Sequence, residues 1–282
     1  MSYIGAHDPE EAARLALQEA GADEELHAAL ALHRPPADVR VLELGSGTGV
    51  YTRAVLVALP EATVVGLDRD VRLLAEARAN LAAEIAAGRV TLLEGDVARL
   101  PFDPQSFGLV TCRCVLMHQP EPELVASEMF RVAEVGGVGL AIEPDWGARA
   151  VYPDPEAYAE FLELARRARS FGFPDLLQGR KLPALFQAAG FAQIRAAATA
   201  FVETAAMRAA NDAETLTGPA RLLEQARTLL RRADLAGDAD LDALIARLAG
   251  LRRHPEYFSG GADFAVSAVK PGPRWTGEGQ LA

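Results

Sequence analysis

The sequence predicts a doubly wound α/β fold, built on a mostly parallel seven-stranded sheet with helices on both faces. From residue 38 onward, short apolar runs alternate with longer stretches of helical periodicity, a pattern typical of βαβ units. The chain has 282 residues and half of them are apolar, so it can bury a continuous core. We therefore expect one large domain, or one domain with an added lobe, around a buried sheet.

The first half of the chain supplies N-terminal helices and five strands. Residues 8–33 carry alanine and leucine at helical spacing, after an N-cap at Asp8 and with a break at Gly21. The strands that we expect next are Val39–Leu44, Thr63–Asp68, Val90–Glu94, Leu109–Arg113 and Val138–Glu143. The helices between them are expected at Tyr51–Leu59, Val71–Ala87 and Glu123–Val135.

The second half of the chain is richer in helical patterns. Two helices are predicted at Glu156–Ser170 and Gly179–Ala189, and alternation over Gln193–Glu203 predicts a sixth strand. Residues 207–254 are almost wholly helical in pattern, and they precede a last strand at Ala262–Val269. The sequence therefore predicts a helical insert before the last of seven strands.

Composition and charge exclude several classes of protein. The chain has 39 acidic and 28 basic residues, a net charge of −11, which disfavours a phosphate backbone as a partner. The N-terminus lacks a signal peptide pattern and no apolar run is long enough for a membrane helix, so we expect a cytoplasmic protein. Cys112 and Cys114 lie two apart in a strand and are expected to be free thiols without a metal.

The strongest motif is a glycine loop that follows the first strand. The strand ends at Glu43-Leu44, and the run Gly45-Ser46-Gly47-Thr48-Gly49 leads directly into a helix. Glycines allow a tight turn and a close approach of the backbone to a nucleotide-like ligand. The spacing departs from the Gly-x-Gly-x-x-Gly fingerprint of dinucleotide sites, which favours a ligand without a pyrophosphate.

Acidic residues end the next two strands. Asp68 lies 19 residues beyond Gly49, where a carboxylate can accept hydrogen bonds from the hydroxyls of a ribose. This feature alone does not separate a nicotinamide site from an S-adenosylmethionine site. Asp96 follows the third strand, and the pair Asp96-Val97 suits an adenine, with the carboxylate accepting from the amine and the valine packing on the ring.

In this order the motifs resemble those of the Rossmann-like (class I) S-adenosylmethionine-dependent methyltransferases, in the branch that methylates small molecules. The matching elements are Glu43-x-Gly45-x-Gly47-x-Gly49, Gly66-x-Asp68, Gly95-Asp96-Val97, Leu100-Pro101-Phe102, Phe107-Gly108-Leu109-Val110 and Gly136-Gly137. The resemblance covers residues 38–145 and implies that the last strand is antiparallel. The helical insert departs from the family pattern.

The resemblance implies a division of the chain. It consists of an N-terminal helical cap (1–37), a core that binds S-adenosylmethionine (38–206), a helical insert (207–257), the final strand (258–272) and a mobile tail (273–282).

The resemblance also implies a set of cofactor contacts. The glycine loop would line the methionine portion, Glu43 would reach the cofactor amino group, and Cys112 would face the sulfonium through its backbone carbonyl. Tyr3 and Arg14 would close the site from the N-terminal cap. The cofactor residues expected in this way are Tyr3, Arg14, Glu43, Gly45, Gly47, Gly49, Asp68, Arg69, Asp96, Val97 and Cys112.

Methyl transfer from a sulfonium needs an aligned nucleophile, and a general base only when that nucleophile is protonated. His118 follows the fourth strand where the family often carries histidine, so it is the candidate catalytic residue. Glu143 and Asp145 are further candidates for a base. Glu143, Asp145 and Trp146 lie at the end of the fifth strand and are the candidate substrate contacts.

The sequence thus predicts an enzyme that transfers a methyl group from S-adenosylmethionine to an oxygen, nitrogen or carbon atom of a small molecule. Two alternatives are an inactive S-adenosylmethionine-binding regulator and, with less support, an NAD(P)-dependent oxidoreductase. A protein substrate stays open, whereas the charge disfavours RNA. We expect no nucleic acid or membrane partner, and either a monomer or a homodimer.

Overall fold

The computed structural model describes residues 22–208 and 218–272 of the chain. The predicted cofactor contacts of Tyr3 and Arg14, and the predicted mobile tail at 273–282, lie outside these residues. Within them, no helix combines the length and the apolar character that a membrane span requires.

The described residues form a series of helices and strands. The helices are α1 (Ala22–Leu30), α2 (Val50–Ala58), α3 (Val71–Asn80), α4 (Ala82–Ala86), α5 (Pro122–Val132), α6 (Pro155–Ala168), α7 (Leu182–Ala189), α8 (Ala205–Arg208), α9 (Gly218–Arg232) and α10 (Asp238–Leu251). The strands are β1 (Arg40–Leu44), β2 (Thr63–Asp68), β3 (Val90–Glu94), β4 (Phe107–Arg113), β5 (Ala133–Tyr152), β6 (Ala192–Thr204) and β7 (Phe258–Val269). Short 3₁₀ turns occur at Leu116–His118, Arg169–Phe171 and Gly179–Lys181.

Local capping explains where several helices begin. The Asp70 carboxylate accepts a hydrogen bond from the amide of Arg72 and so caps α3. The Asp154 carboxylate caps α6 in the same way through the amide of Ala157, and a proline takes the first helical position. These caps satisfy backbone amides that have no partner within the helix.

The seven strands form one sheet in the order β3-β2-β1-β4-β5-β7-β6. The pairs β1–β2, β1–β4, β2–β3 and β4–β5 are parallel, with Leu44 opposite both Leu67 and Cys112. The amide of Gly136, near the start of β5, donates to the carbonyl of Lys270, just after β7, at 2.9 Å. This bond pairs the start of one strand with the end of the other, so β7 is antiparallel to β5. The predicted α/β class, seven strands and antiparallel last strand are confirmed.

The chain divides into two compact units, and β5, β6 and β7 each pass from one into the other. The first unit contains the described residues 22–143, 179–199 and 264–272. Its strands point alternate side chains into two apolar clusters, with Leu42 in one and Val41 in the other. Helices α5 and α7 pack on the first cluster and helices α1 and α2 on the second. The sheet is therefore covered on both faces, as the near-continuous apolar strands predict.

The second unit contains the described residues 144–178, 200–208 and 218–263. Its core includes the rings of Trp146, Tyr158 and Phe161, whose centroids lie 5.7 Å (Trp146 to Phe161) and 5.8 Å (Tyr158 to Phe161) apart. The guanidinium of Arg247 joins α10 to α6 through the carboxylates of Asp154 and Glu160.

Three elements differ from the sequence-based expectation. Strand β5 runs for 20 residues, from Ala133 to Tyr152, whereas only Val138–Glu143 was expected. The helix expected over Val71–Ala87 breaks at Leu81, a fully buried side chain, into α3 and α4. The helix expected to reach Val135 ends at Val132, because the next residue already begins β5.

Candidate cofactor site and active site

The glycine loop leaves an open space at the end of β1. Gly45, Gly47 and Gly49 all have positive φ, at 70°, 52° and 85°. A Cβ on Gly45 would come within 2.5 Å of the Val115 side chain, whereas a Cβ on Gly47 would meet no atom within 4 Å. Gly45 is thus required by packing. Gly47 borders a space into which any side chain would project, as a ligand cradle requires.

Asp68, at the end of β2, is tied directly to this loop. One carboxylate oxygen accepts from the amide of Gly47 at 2.8 Å, and the other accepts from the amide of Asp70 at 2.8 Å. The side chain is 9% exposed. Because each carboxylate oxygen can accept two hydrogen bonds, both still have capacity for the hydroxyls of a ligand.

Ser46 adds a polar group that the motif analysis did not single out. Its hydroxyl is buried in the glycine loop and has no hydrogen-bond partner among the described residues. A Cβ on Gly66, in β2, would approach the Ser46 side chain to 3.0 Å, so the absence of a side chain there makes room for the loop. A buried hydroxyl without a partner is costly, and a polar ligand in the loop would supply that partner.

Asp96 and Val97 follow β3 in a short turn. One oxygen of Asp96 accepts from the amide of Ala98 at 2.9 Å, and the side chain is exposed, while Val97 is 8% exposed. The turn therefore exposes the carboxylate, while Val97 packs in the apolar cluster that contains Leu42. The predicted contacts of both residues with an adenine stay predictions.

Two residues of α5 brace the segment that follows this turn. Glu128 accepts from the amide of Leu100 at 2.8 Å, and Arg131 donates to the carbonyls of Phe102 and Leu100 at 2.7 and 3.0 Å. The Arg131 side chain, hydrogen-bonded to Glu128, lowers the pKa of that carboxyl. Neither residue could be predicted from the sequence, because nothing in their spacing links α5 to the segment after β3.

Glu43 is almost fully buried in β1. Its Oε2 accepts from the Thr52 hydroxyl at 2.6 Å, so α2 fixes the position of the carboxylate. Beside Thr52, the hydroxyls of Tyr51 and Thr111 lie 2.9 Å apart and join α2 to β4. The predicted contact of Glu43 with the cofactor amino group stays a prediction.

Cys112 lies within β4, and its side chain is fully buried in an apolar cluster. Burial raises the pKa of this thiol, so it stays protonated and does not act as a nucleophile. The predicted contact of its backbone carbonyl with the sulfonium stays a prediction. The next residue, Arg113, donates to Glu25 of α1 at 2.8 Å, and these two side chains are 11% and 10% exposed.

Glu143 organises the turn that carries His118. One of its oxygens accepts from the amides of Val115 and Leu116 at 2.8 and 2.6 Å, and the other from the amide of Met117 at 3.3 Å. The side chain is fully buried. Burial raises the pKa of Glu143 to about 7, although the three amide donors act in the opposite direction. The arrangement gives Glu143 a positioning task, and its expected substrate contact stays a prediction.

Asp145 and Trp146 belong to the second unit and are 1% and 9% exposed. Trp146 packs against Phe161, and the Arg149 guanidinium lies 4.4 Å from the centroid of its ring. Arg69, by contrast, is an exposed residue directly after β2 in the first unit. The roles predicted for these three side chains, and the catalytic role of His118, stay predictions.

An α/β sheet with a glycine loop after β1 and acids after β2 and β3 defines a nucleotide-binding protein of the Rossmann-like class. The chain belongs to a family of methyltransferase domains, whose family model matches residues 36–190. It is an S-adenosylmethionine-dependent methyltransferase.

Curated relatives and solved structures agree with this assignment. The chain is 33% identical over 170 residues to a demethylmenaquinone methyltransferase of Roseiflexus castenholzii. This alignment covers 53% of this chain and 68% of the relative. It is 30% identical over 156 residues to 2-methyl-6-phytyl-1,4-hydroquinone methyltransferase 2 of Oryza sativa. That alignment covers 50% of this chain and 42% of the relative. Phosphoethanolamine N-methyltransferase 2 of Haemonchus contortus shares the fold, with a TM-score of 0.53, 19% identity and coverage of 89% and 53%.

Proposed function

We propose that the chain methylates an oxygen, nitrogen or carbon atom of a small molecule, and that quinol-type rings are the first acceptors to test. The two curated relatives described above have quinone-type and hydroquinone-type names, which supports a ring acceptor of this kind. The observation that carries the proposal is the link between the loop and the next strand, in which the Gly47 amide bonds to Asp68 beside an open space.

In this proposal, the first unit holds the cofactor along the ends of β1, β2 and β3. Gly45, Gly47 and Gly49 form the wall beside the methionine portion. Asp68 accepts from the ribose hydroxyls, while Asp96 and Val97 contact the adenine. Three features favour this fit: the space beside Gly47, the capacity of the Asp68 carboxylate and the Ser46 hydroxyl without a partner.

Fewer structural observations support the other proposed contacts with the cofactor. Glu43 faces the amino group of the cofactor, Arg69 lies beside the ribose, and Cys112 contributes its backbone carbonyl. Tyr3 and Arg14 close the site from the N-terminal segment, which lies outside the described residues.

The chemistry required from the chain is modest. S-adenosylmethionine supplies a methyl group on a positively charged sulfur, which is already activated toward nucleophiles. The chain must align the acceptor atom and exclude water, and such positioning can contribute about 7–11 kcal/mol. When the acceptor is a protonated hydroxyl, His118 accepts the proton, while Glu143 holds the turn in which His118 lies.

Asp145 and Trp146 are proposed as contacts of the acceptor. The helices of the second unit, α6, α9 and α10, have no assigned ligand in this proposal.

Two measurements test the proposed function. Calorimetry with S-adenosylmethionine and with S-adenosylhomocysteine should give binding of both, because they share the groups that the loop contacts. Mass spectrometry after incubation with S-adenosylmethionine and a panel of naphthoquinols and benzoquinols should then show a product heavier by one methyl group. Cofactor binding without transfer to any quinol would reject the acceptor class, and absence of cofactor binding would reject the function.

A further inference from the structure

A second candidate ligand site lies wholly within the second unit. It is a cavity of about 130 Å³, bordered by the distal parts of β5 and β6 and by helices α6, α9 and α10. Most of its lining residues follow residue 190 and so fall outside the matched family model. Four aliphatic or proline side chains contribute to its wall: Val151, Pro219, Leu248 and Leu251.

The cavity contains a guanidinium with aromatic contacts and no acidic partner. Arg149 lies 4.4 Å from the ring centroid of Trp146 and 4.8 Å from that of Phe201, so two rings hold it in place. Among residues 22–208 and 218–272, no carboxylate pairs with Arg149, and no hydrogen bond engages it. Its N–H donors thus remain available to an acceptor in the cavity.

The other arginine on the wall differs. Arg252 pairs with the Glu203 carboxylate at 2.7 Å, and the Tyr257 hydroxyl donates to the second oxygen of Glu203 at 3.0 Å. Both arginines line the same cavity, so they differ in their partners and not in their location. The fold supplies an acid for Arg252, whereas Arg149 is immobilised by rings and lacks such an acid among the described residues.

The Tyr158 side chain on the wall is committed to the fold. The Tyr158 hydroxyl donates to the backbone carbonyl of Trp146 at 2.8 Å, so this side chain offers mainly its ring to the cavity. Its ring and that of Phe201 make the cavity suitable for a flat apolar group.

Size limits the ligand further. An engineered apolar cavity of about 150 Å³ takes up benzene, so a cavity of about 130 Å³ matches a single six-membered ring. The planar guanidinium of Arg149 matches a carboxylate, which it can bind through two parallel hydrogen bonds.

We infer that this cavity is a binding site for a small aromatic acid, with its ring between the apolar walls and its carboxylate on Arg149. This site goes beyond the proposed function, because neither the cofactor nor methyl transfer enters the argument. It gives the second unit a ligand that is recognised by ring and charge together.

Benzoate is the probe that combines both features. Calorimetry should give binding of benzoate in the millimolar range or tighter, whereas benzyl alcohol, which has the ring alone, and acetate, which has the charge alone, should each bind at least tenfold more weakly. Absence of benzoate binding at millimolar concentrations, or equal affinity for benzyl alcohol, would overturn the inference.

Two variants and a matched control locate the site. Arg149→Met should weaken benzoate binding at least tenfold, and Val151→Phe, which fills the cavity, should do the same without removing a charge. Arg247→Met removes an arginine of the same unit that is paired with Asp154 and Glu160 and does not line the cavity. Its benzoate affinity should stay within twofold of the wild type, and an equal loss in all three variants would contradict the site.

The same samples are titrated with S-adenosylmethionine. A circular dichroism spectrum and a thermal unfolding transition like those of the wild type show that the Arg149→Met and Val151→Phe variants are folded, and retained cofactor binding shows that the first unit is intact. The titration also separates the two proposals, because the benzoate result is decided whether or not methyl transfer is found. Benzoate affinity that is unchanged in both variants would place the ligand elsewhere and overturn the inference.

Discussion

The backbone amide of Gly47 donates a hydrogen bond of 2.8 Å to the carboxylate of Asp68, and so joins the loop after β1 to the end of β2. These two residues are 21 positions apart. Gly47 follows β1 and Asp68 ends β2, and these two strands are adjacent and parallel, so their carboxyl ends lie at the same edge of the sheet. The bond orients the carboxylate beside the open space that borders Gly47. The predictions below follow from this arrangement and from the contacts around it.

Substitutions at two glycines of the loop should separate effects on protein stability from effects on cofactor binding. Gly47→Ala places a methyl group in open space at positive φ, so we expect a loss of about 1–2 kcal/mol in unfolding free energy. Binding of S-adenosylmethionine should fall at least tenfold, because the methyl group occupies ligand space. In Gly45→Ala, the added Cβ would also come within 2.5 Å of the Val115 side chain. This variant should therefore lose about 1–3 kcal/mol more in unfolding free energy than Gly47→Ala.

Urea unfolding and calorimetry on both glycine variants measure these effects. Wild-type cofactor affinity in a folded Gly47→Ala protein would show that the open space is not the cofactor site.

Glu143 should make stability depend on pH. Its folded-state pKa is about 7, above the usual 4.5, so between these values the folded protein holds a proton that the unfolded chain has lost. The stability from this proton is fully present below pH 4.5 and is lost as pH rises through 7, by about 3 kcal/mol. Urea unfolding from pH 5 to 8 measures the slope.

Glu143→Gln cannot titrate and should remove most of that slope. Glu123→Gln is the control, since it removes a carboxylate from the exposed first turn of α5. If the slope survives in Glu143→Gln, another group is responsible for it.

The contributions of Arg113 and Glu25 to the unfolding free energy should be strongly coupled, because the two side chains form an ion pair. Both side chains are about nine-tenths buried, so Arg113→Met leaves a buried carboxylate without its cation and should cost about 3 kcal/mol. The double variant Arg113→Met/Glu25→Leu should recover much of this loss, because it replaces the pair by apolar side chains. A double-mutant cycle of unfolding free energies measures the coupling, and simple additivity would contradict it.

His118 should affect turnover without affecting cofactor binding. If it accepts a proton from the acceptor, His118→Gln should lower kcat by about 100-fold or more, with the dissociation constant of S-adenosylmethionine within twofold. His27→Gln, an exposed change in α1, is the control. Unchanged kcat in His118→Gln would remove this residue from catalysis and point to an acceptor that arrives deprotonated.

The sequence was most informative where a motif is short and local. The run from Glu43 to Gly49 predicts a strand, a turn and a helix, and the structure contains them at the expected residues. Asp68 and Asp96 could be placed at strand ends for the same reason, because apolar runs end at these acids.

Contacts between distant segments could not be predicted in this way. Glu143 was expected at the end of the fifth strand as a base or substrate contact, but three backbone amides from the segment after β4 donate to its carboxylate. The brace from Glu128 and Arg131 likewise depends on how α5 packs, and periodicity does not report this. Strand β5 was underestimated because the residues after Trp146, which include Arg149, lack the apolar run by which Val138–Glu143 was recognised.

The affinity of S-adenosylmethionine for the Asp68→Asn variant tests the account most directly. The substitution keeps the shape of the side chain and removes the charge that accepts from the ribose. The account predicts tight binding to the wild type, a loss of at least tenfold in Asp68→Asn, and affinity within twofold of the wild type in Asp70→Asn. Equal affinity in the wild type and Asp68→Asn would contradict the cofactor site proposed at the ends of β1 and β2.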